Sequence, residues 1–139
     1  MSVITEFIPV ATRGYTDIID ITQNVSDVIK NSSLKNGIAT IFVSGSTAGI
    51  TTIEYESGLL EDLPQAFEKF APMNIQYHHD RTWSDGNGYA HVRAALLGAS
   101  FTVPFKDNKM ILGTWQQIVL IDFDNRPRKR ELVVQIIGE

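Results

Sequence analysis

Apolar and polar positions alternate with two different periods along the chain, and the switches between them mark its elements. Val3 to Val10 reads as a strand closed by the turn-prone pair Arg13-Gly14. Asp17 to Ile21 fits either a second strand or the first turn of a helix. From Thr22, taken as an N-cap, Val25, Val28 and Ile29 share one helical face, and Asn36-Gly37 marks the turn beyond it. Ile38 to Val43 is apolar on both alternating faces, as in a strand covered on both sides. Ser44-Gly45-Ser46-Thr47 interrupts it. Ile50 to Glu56 resumes an extended pattern, with Thr52, Glu54 and Glu56 opposite Thr51, Ile53 and Tyr55. Asp62 and Gln65 have capping-box spacing for a short helix striped by Leu63, Phe67 and Phe70, with Pro64 in its first turn and Pro72 ending it.

Ile75 and Tyr77 suggest a strand leading into His78-His79-Asp80. After Asn87, the apolar Tyr89, Val92, Leu96 and Leu97 with Gly98 as terminator predict another short helix. Ser100 to Phe105, Met110 to Phe123 and Glu131 to Ile137 read as strands, joined by hairpin turns at Asp107-Asn108 and Asp124 to Pro127. Strands dominate and helices are few. The fold class is therefore α+β, a mainly antiparallel curved sheet or sandwich with helices outside, in one domain over residues 1–139.

Composition narrows the function classes. The 139 residues contain no cysteine, which excludes disulfides, thiolate metal sites and cysteine nucleophiles. No basic leader or long apolar run is present, so the expectation is a cytoplasmic protein without membrane contact. A net charge of −4 argues against non-specific nucleic-acid binding. The local cluster Arg126, Arg128, Lys129 and Arg130 is either a solvated turn or an anion clamp.

The candidate chemistry gathers around two histidines. If residues 87–98 are helical, Asn87 and His91 lie one turn apart on a shared face. In a strand, alternation would send His78 and His79 to opposite faces, so only one of the pair would enter a site. A loop through Trp83-Ser84-Asp85-Gly86 can then bring His79 and Asp80 to that same face. Such a cluster suits divalent-metal ligation, acid–base catalysis or anion recognition, or serves only to cap helices and fill polar gaps. Glu54, a carboxylate in an apolar and Thr-rich strand, either faces water or, if buried beside an imidazole, acts as a base or metal support. The Ser46-Thr47 loop lacks a P-loop pattern, but its hydroxyls and backbone suit an anion as well as a turn. No G-x-S-x-G elbow supports a serine triad. Gln116 and Gln117 interrupt an apolar run, so either at least one faces a pocket or a neighbouring subunit, or Trp115 is a core residue beside an edge-facing glutamine.

Five segments in order resemble the YjbQ family. They are Ser44-Gly45-Ser46-Thr47-Ala48-Gly49 followed by Glu54, Tyr77-His78-His79-Asp80, Asn87-Gly88-Tyr89-Ala90-His91, Leu97-Gly98-Ala99-Ser100, and Leu112-Gly113-Thr114-Trp115-Gln116. The ending from Arg128-Lys129-Arg130 to Gly138-Glu139 fits as well. The resemblance implies a small α+β homotrimer with a weak thiamine-phosphate synthase activity. It implies pocket residues Glu54, His79, Asp80, Asn87, His91, Ser100, Thr114 and Gln116, with Arg128 and Arg130 beside them. Many relatives carry a histidine where this chain has Gly45-Ser46, so a three-histidine metal site is not available within one chain. A metal such as Mg²⁺ or Zn²⁺ would rest on His79, His91 and oxygen ligands.

Three functions follow as expectations. The first is an enzyme acting on a phosphorylated or diphosphorylated metabolite, in its specific form a thiamine-phosphate synthase-like transferase. The others are a non-catalytic anion- or metabolite-binding module and a metal-dependent hydrolase.

Overall fold

The period-two patterns become two antiparallel sheets in the computed structural model, which describes residues 1–139. The order is β1 (Ser2–Thr12), β2 (Asp17–Asp20), α1 (Thr22–Asn31), β3 (Gly37–Val43), β4 (Ala48–Ile53), α2 (Ser57–Phe70), α3 (His78–Trp83), α4 (Gly88–Leu97), β5 (Ser100–Lys106), β6 (Lys109–Met110), β7 (Gln117–Asp122) and β8 (Arg128–Gly138). One sheet runs β1-β8-β3-β5-β6 and the other β2-β7-β4. The class is α+β, as the patterning indicates.

Three layers result. Ile41, Val134 and Ile136 of the large sheet pack against Ile50, Ile118 and Leu120 of the small one, with Val25 and Ile29 of α1 in the same core. The opposite face of the small sheet, through Val119, Ile121 and Phe123, packs on Phe67, Tyr89, Ala90 and Ala94 of the helices. β7 is thus buried on both faces, which explains its unbroken apolar run.

Several expectations need correction. Thr22 is the first helical residue rather than the N-cap. Its hydroxyl donates to Asp20 Oδ1 at 2.6 Å and accepts from the Ile118 N–H at 2.8 Å, so it is tied to β2 and β7. The helix expected from Asp62 begins at Ser57, where the Glu56 carboxylate caps the N–H groups of Gly58 and Leu59. Pro64 therefore lies inside α2, where it leaves one carbonyl of the preceding turn without its usual donor. Residues 75–77 are not a strand: His78–Trp83 is a short helix ended by Ser84 at φ +57°. The strand expected over 110–123 is broken, because residues 111–116 cross from one sheet to the other. Asp107-Asn108 does form the expected tight turn, both residues taking positive φ between β5 and β6. Asp124 to Pro127, by contrast, is a sheet-switching corner, since β7 and β8 belong to different sheets.

Candidate functional site

Three sheet-switching connections, at 13–16, 44–47 and 123–127, meet at one end of the sandwich, and Asp124 holds them together. Its carbonyl accepts from the Tyr15 N–H at 2.7 Å. Its Oδ2 accepts from Thr47 Oγ1 at 3.1 Å and Arg128 Nη1 at 2.9 Å, and its Oδ1 from Asn87 Nδ2 at 3.2 Å. Asp122, two residues earlier on the same strand, receives Arg130 through Nε at 2.7 Å and Nη2 at 2.9 Å, and the Thr12 hydroxyl at 2.6 Å. Burial alone would raise both carboxyls. Hydrogen bonds from Arg130, Thr12 and the Asp124 N–H overcome this at Asp122, and those from Asn87, Asn125 and Thr47, with the nearby Arg128 charge, do so at Asp124. Both end below the usual carboxylate range.

This network positions the N-terminus of α4. Asn87, bonded to Asp124, precedes the helix, and His91 follows one turn later. Across from it, α3 is fastened by Asp80 Oδ1, which accepts the Gly88 N–H at 2.9 Å. Gly88 has no side chain for a reason: a Cβ there would lie 2.5 Å from Tyr77 Cβ. The close approach brings the His79 and His91 rings to 4.1 Å between centroids. Burial first, then the adjacent His79 ring, hold the His91 imidazole below its ordinary pKa, which keeps it neutral at pH 7.

His79 lies half-buried and His78 exposed. One of the pair does enter the cluster, although through helical rather than strand geometry. His79 Nδ1 is buried without a hydrogen-bond partner, 3.7 Å from Asp80 Oδ1 and 3.6 Å from Asp85 Oδ1. His79, Asp80 and Asp85 each offer one ligand atom within 4.8 Å of the others. An orphaned imidazole nitrogen flanked by two carboxylates fits a divalent cation, with more oxygen than nitrogen among the donors. Asn87 Oδ1 is likewise buried and unpartnered.

The remaining predicted residues divide. Ser46 shares a concavity of about 500 Å³ with His91, Gly45, Ala48 and Ala99. Thr47 is buried, its hydroxyl donating to Asp124 and accepting from Arg130 Nη2 at 2.7 Å, so its one proton is already committed and is not offered to an anion. Arg128 is half-exposed. Arg130 is buried, and its Nη1 lies against Gly45, where a Cβ would approach it to 2.8 Å. Ser100 faces outward from the large sheet beside Phe42. Glu54 is exposed and lines a separate groove with Thr114 and Trp115. Gln116 accepts the Gly113 N–H at 2.8 Å and donates to Thr52 at 3.3 Å. These residues sit past the Ile53 end of β4, whereas the histidine pocket is at its Ala48 end, a strand length of about 17 Å away. Glu54 is therefore not beside an imidazole within one chain.

Sequence reasoning missed Asp85, Asp122 and Asp124 as site residues. A signal for the last two was present. Two carboxylates closing a fully apolar strand must be paired, and the arginines that pair them follow within eight residues.

A family model described as UPF0047 protein YjbQ-like matches residues 6–139. A UPF0047 protein of Methanothermobacter thermautotrophicus is 40% identical over 139 residues, covering all of this chain and 95% of its own length. The UPF0047 protein YugU of Bacillus subtilis is 32% identical over 130 residues, covering 93% and 96%. Among solved structures, a YbjQ-like protein of unknown function from Sulfolobus solfataricus superposes with a TM-score of 0.94 at 36% identity, covering 99% of both chains. A YjbQ/UPF0047 protein from Clostridium acetobutylicum does so at 0.87 and 32% identity, covering 95% and 99%.

Proposed function

The chain belongs to the YjbQ-like UPF0047 family, and from that membership and the paired imidazoles we propose that it is an enzyme acting on a phosphorylated or diphosphorylated small molecule. The specific version is thiamine-phosphate synthesis. There the bond between a pyrimidine methylene carbon and a diphosphate oxygen breaks, the diphosphate leaves with the electron pair, and the thiazole nitrogen forms the new C–N bond. The observation that carries the reading is the apposition of His79 and His91 at 4.1 Å beside the open Gly45-Ser46 loop.

Diphosphate departure requires neutralisation of its charge. The two arginines alone do not supply it, because Asp122 and Asp124 balance Arg130 and Arg128. A divalent cation held by His79, Asp80 and Asp85 would supply that charge. His91, neutral and partly accessible, is suited to accept a proton, and the loop hydroxyl of Ser46 to orient the phosphates. The free Nη1 of Arg130 at Gly45 adds a donor to the same side. Glu54, Thr114 and Gln116 join this pocket only if a neighbouring copy supplies them, which is why a homotrimer belongs to the proposal.

The test is diphosphate release from the pyrimidine-methyl diphosphate in the presence of the thiazole phosphate. His91→Ala lowers kcat by about a hundredfold or more while leaving the fold intact. Equal turnover by both proteins would sink the assignment. The ligand set at His79 also favours a second reading, a metal-dependent hydrolase. Phosphoester hydrolysis without any second substrate, abolished by a chelator and restored by Mg²⁺ or Zn²⁺, would select it instead.

A further inference from the structure

A second concavity, of about 440 Å³, lies apart from the histidines, between residues 13–18 and the start of α2, with Tyr15, Tyr55 and Leu60 in its walls. Its size suits a small metabolite. What distinguishes it is the backbone on one side. Gly14, Tyr15 and Thr16 take φ of +78°, +56° and +64° in succession, a left-handed turn that an aromatic residue rarely adopts. Such a conformation persists only where the surroundings over-determine it, and it concentrates at ligand sites. Here the surroundings do so. The Tyr15 N–H is held by the Asp124 carbonyl at 2.7 Å, the Thr16 hydroxyl accepts from Arg93 Nη1 at 2.9 Å, and the Asp17 carboxylate accepts the Arg13 N–H at 2.8 Å.

The strained turn leaves the Tyr15 ring in solvent, 56% exposed, at the same cleft where Tyr55 is 40% exposed. Tyr55 is steadied by a hydrogen bond from its hydroxyl to the Ile18 carbonyl at 3.4 Å. Arg13 stands beside them with its side chain 89% exposed and holds Asp17 through Nη2 alone, so its Nε and Nη1 donors are open to solvent. Two exposed aromatic rings and a half-free guanidinium at one cleft are the elements that recognise a flat ring with a negative substituent.

We propose that the cleft between Tyr15 and Tyr55 binds a planar aromatic ring bearing an anionic group, with the ring against the tyrosine faces and the anion on Arg13. The proposal goes beyond the histidine-pocket reading and does not depend on it.

Phenyl phosphate titrated into the ¹⁵N-labelled full chain tests it. Saturable shifts are expected at the amides of residues 14–18 and 55–60, and inorganic phosphate alone should not reproduce them. Tyr15→Gly keeps the left-handed turn, which glycine adopts freely, and weakens binding about tenfold by removing one ring. Tyr55→Ala does the same from the other wall, and Arg13→Ala weakens phenyl phosphate while leaving phenol unaffected. In His91→Ala the amides of residues 14–18 and 55–60 respond as in the wild type, so failure here and failure of the histidine reading are separable. Amides that stay unmoved at millimolar phenyl phosphate, or a Tyr15→Gly protein with native shifts and undiminished affinity, would overturn the proposal.

Discussion

Asp122 is fully buried, and its charge persists there because Arg130 meets it with two hydrogen bonds and Thr12 with a third. Removing one partner of such a pair strands the other. Arg130→Ala is expected to cost about 3–5 kcal/mol, read as a lower urea midpoint. A milder change at Asp124, which joins three connections, should loosen the α4 N-terminus through Asn87. The pH dependence has a definite sign. Both folded carboxyls lie below their unfolded value of 3.8, so the stability they contribute is present above that value and is lost as the pH falls through the folded one. Urea midpoints taken from pH 7 down to pH 3 should fall in the wild type and fall less steeply in Asp122→Asn. An unchanged slope would remove Asp122 from this account.

At the scale of elements, the site depends on how closely α3 and α4 approach, and Gly88 sets that approach. In Gly88→Ala the new methyl meets Tyr77, so α3 must move outward. The expected cost is about 1–3 kcal/mol, with loss of the nuclear Overhauser contact between the His79 and His91 rings. A variant that retains the ring contact would contradict the packing argument. α4 was legible in the sequence because ten residues show both its apolar positions and its terminating Gly98, which takes φ +97°. α3 was not. Six residues with no buried side chain display no amphipathic period, and the neighbouring Ile75 and Tyr77 mimic a strand. Residues 111–116 misled in the opposite way: apolar Ile111 and Trp115 extend the strand pattern, yet both are exposed on a sheet-crossing segment.

At the scale of the molecule, the cover expected on both faces of Ile38 to Val43 is absent, since Ile38 and Phe42 are exposed. β1, β3, β5 and β8 were nonetheless legible to within a few residues because their inward positions are apolar. That β8 lies between β1 and β3 was not, because pairing between chain ends leaves no local trace. The same pairing creates the large sheet's outer face. Val3, Ile137, Ile38 and Pro104 form one cross-strand row and Phe7, Val133, Phe42 and Ser100 another. Between them, Thr5 accepts from Gln135 and Thr40 bonds Thr102, so the middle row is satisfied within the chain. No position in these rows is charged, although the chain carries 28 charged side chains in total, 12 basic and 16 acidic. A face without charge that exposes Val3, Phe7, Ile38, Phe42 and Ile137 is a candidate association surface. We propose that this surface takes part in the homotrimer's heterologous contacts, packing on a different surface of the next copy, since covering these rows desolvates no charge. Light scattering should then report three times the 15.5 kDa of one chain. Phe7→Glu with Phe42→Glu places two carboxylates on that face and should yield monomers with an unchanged far-ultraviolet spectrum. If activity also falls in these monomers while the His79–His91 contact remains, the copies complete one another's sites. A wild-type protein that scatters as a monomer removes the trimer, and with it any role for Glu54, Thr114 and Gln116 at the histidine pocket.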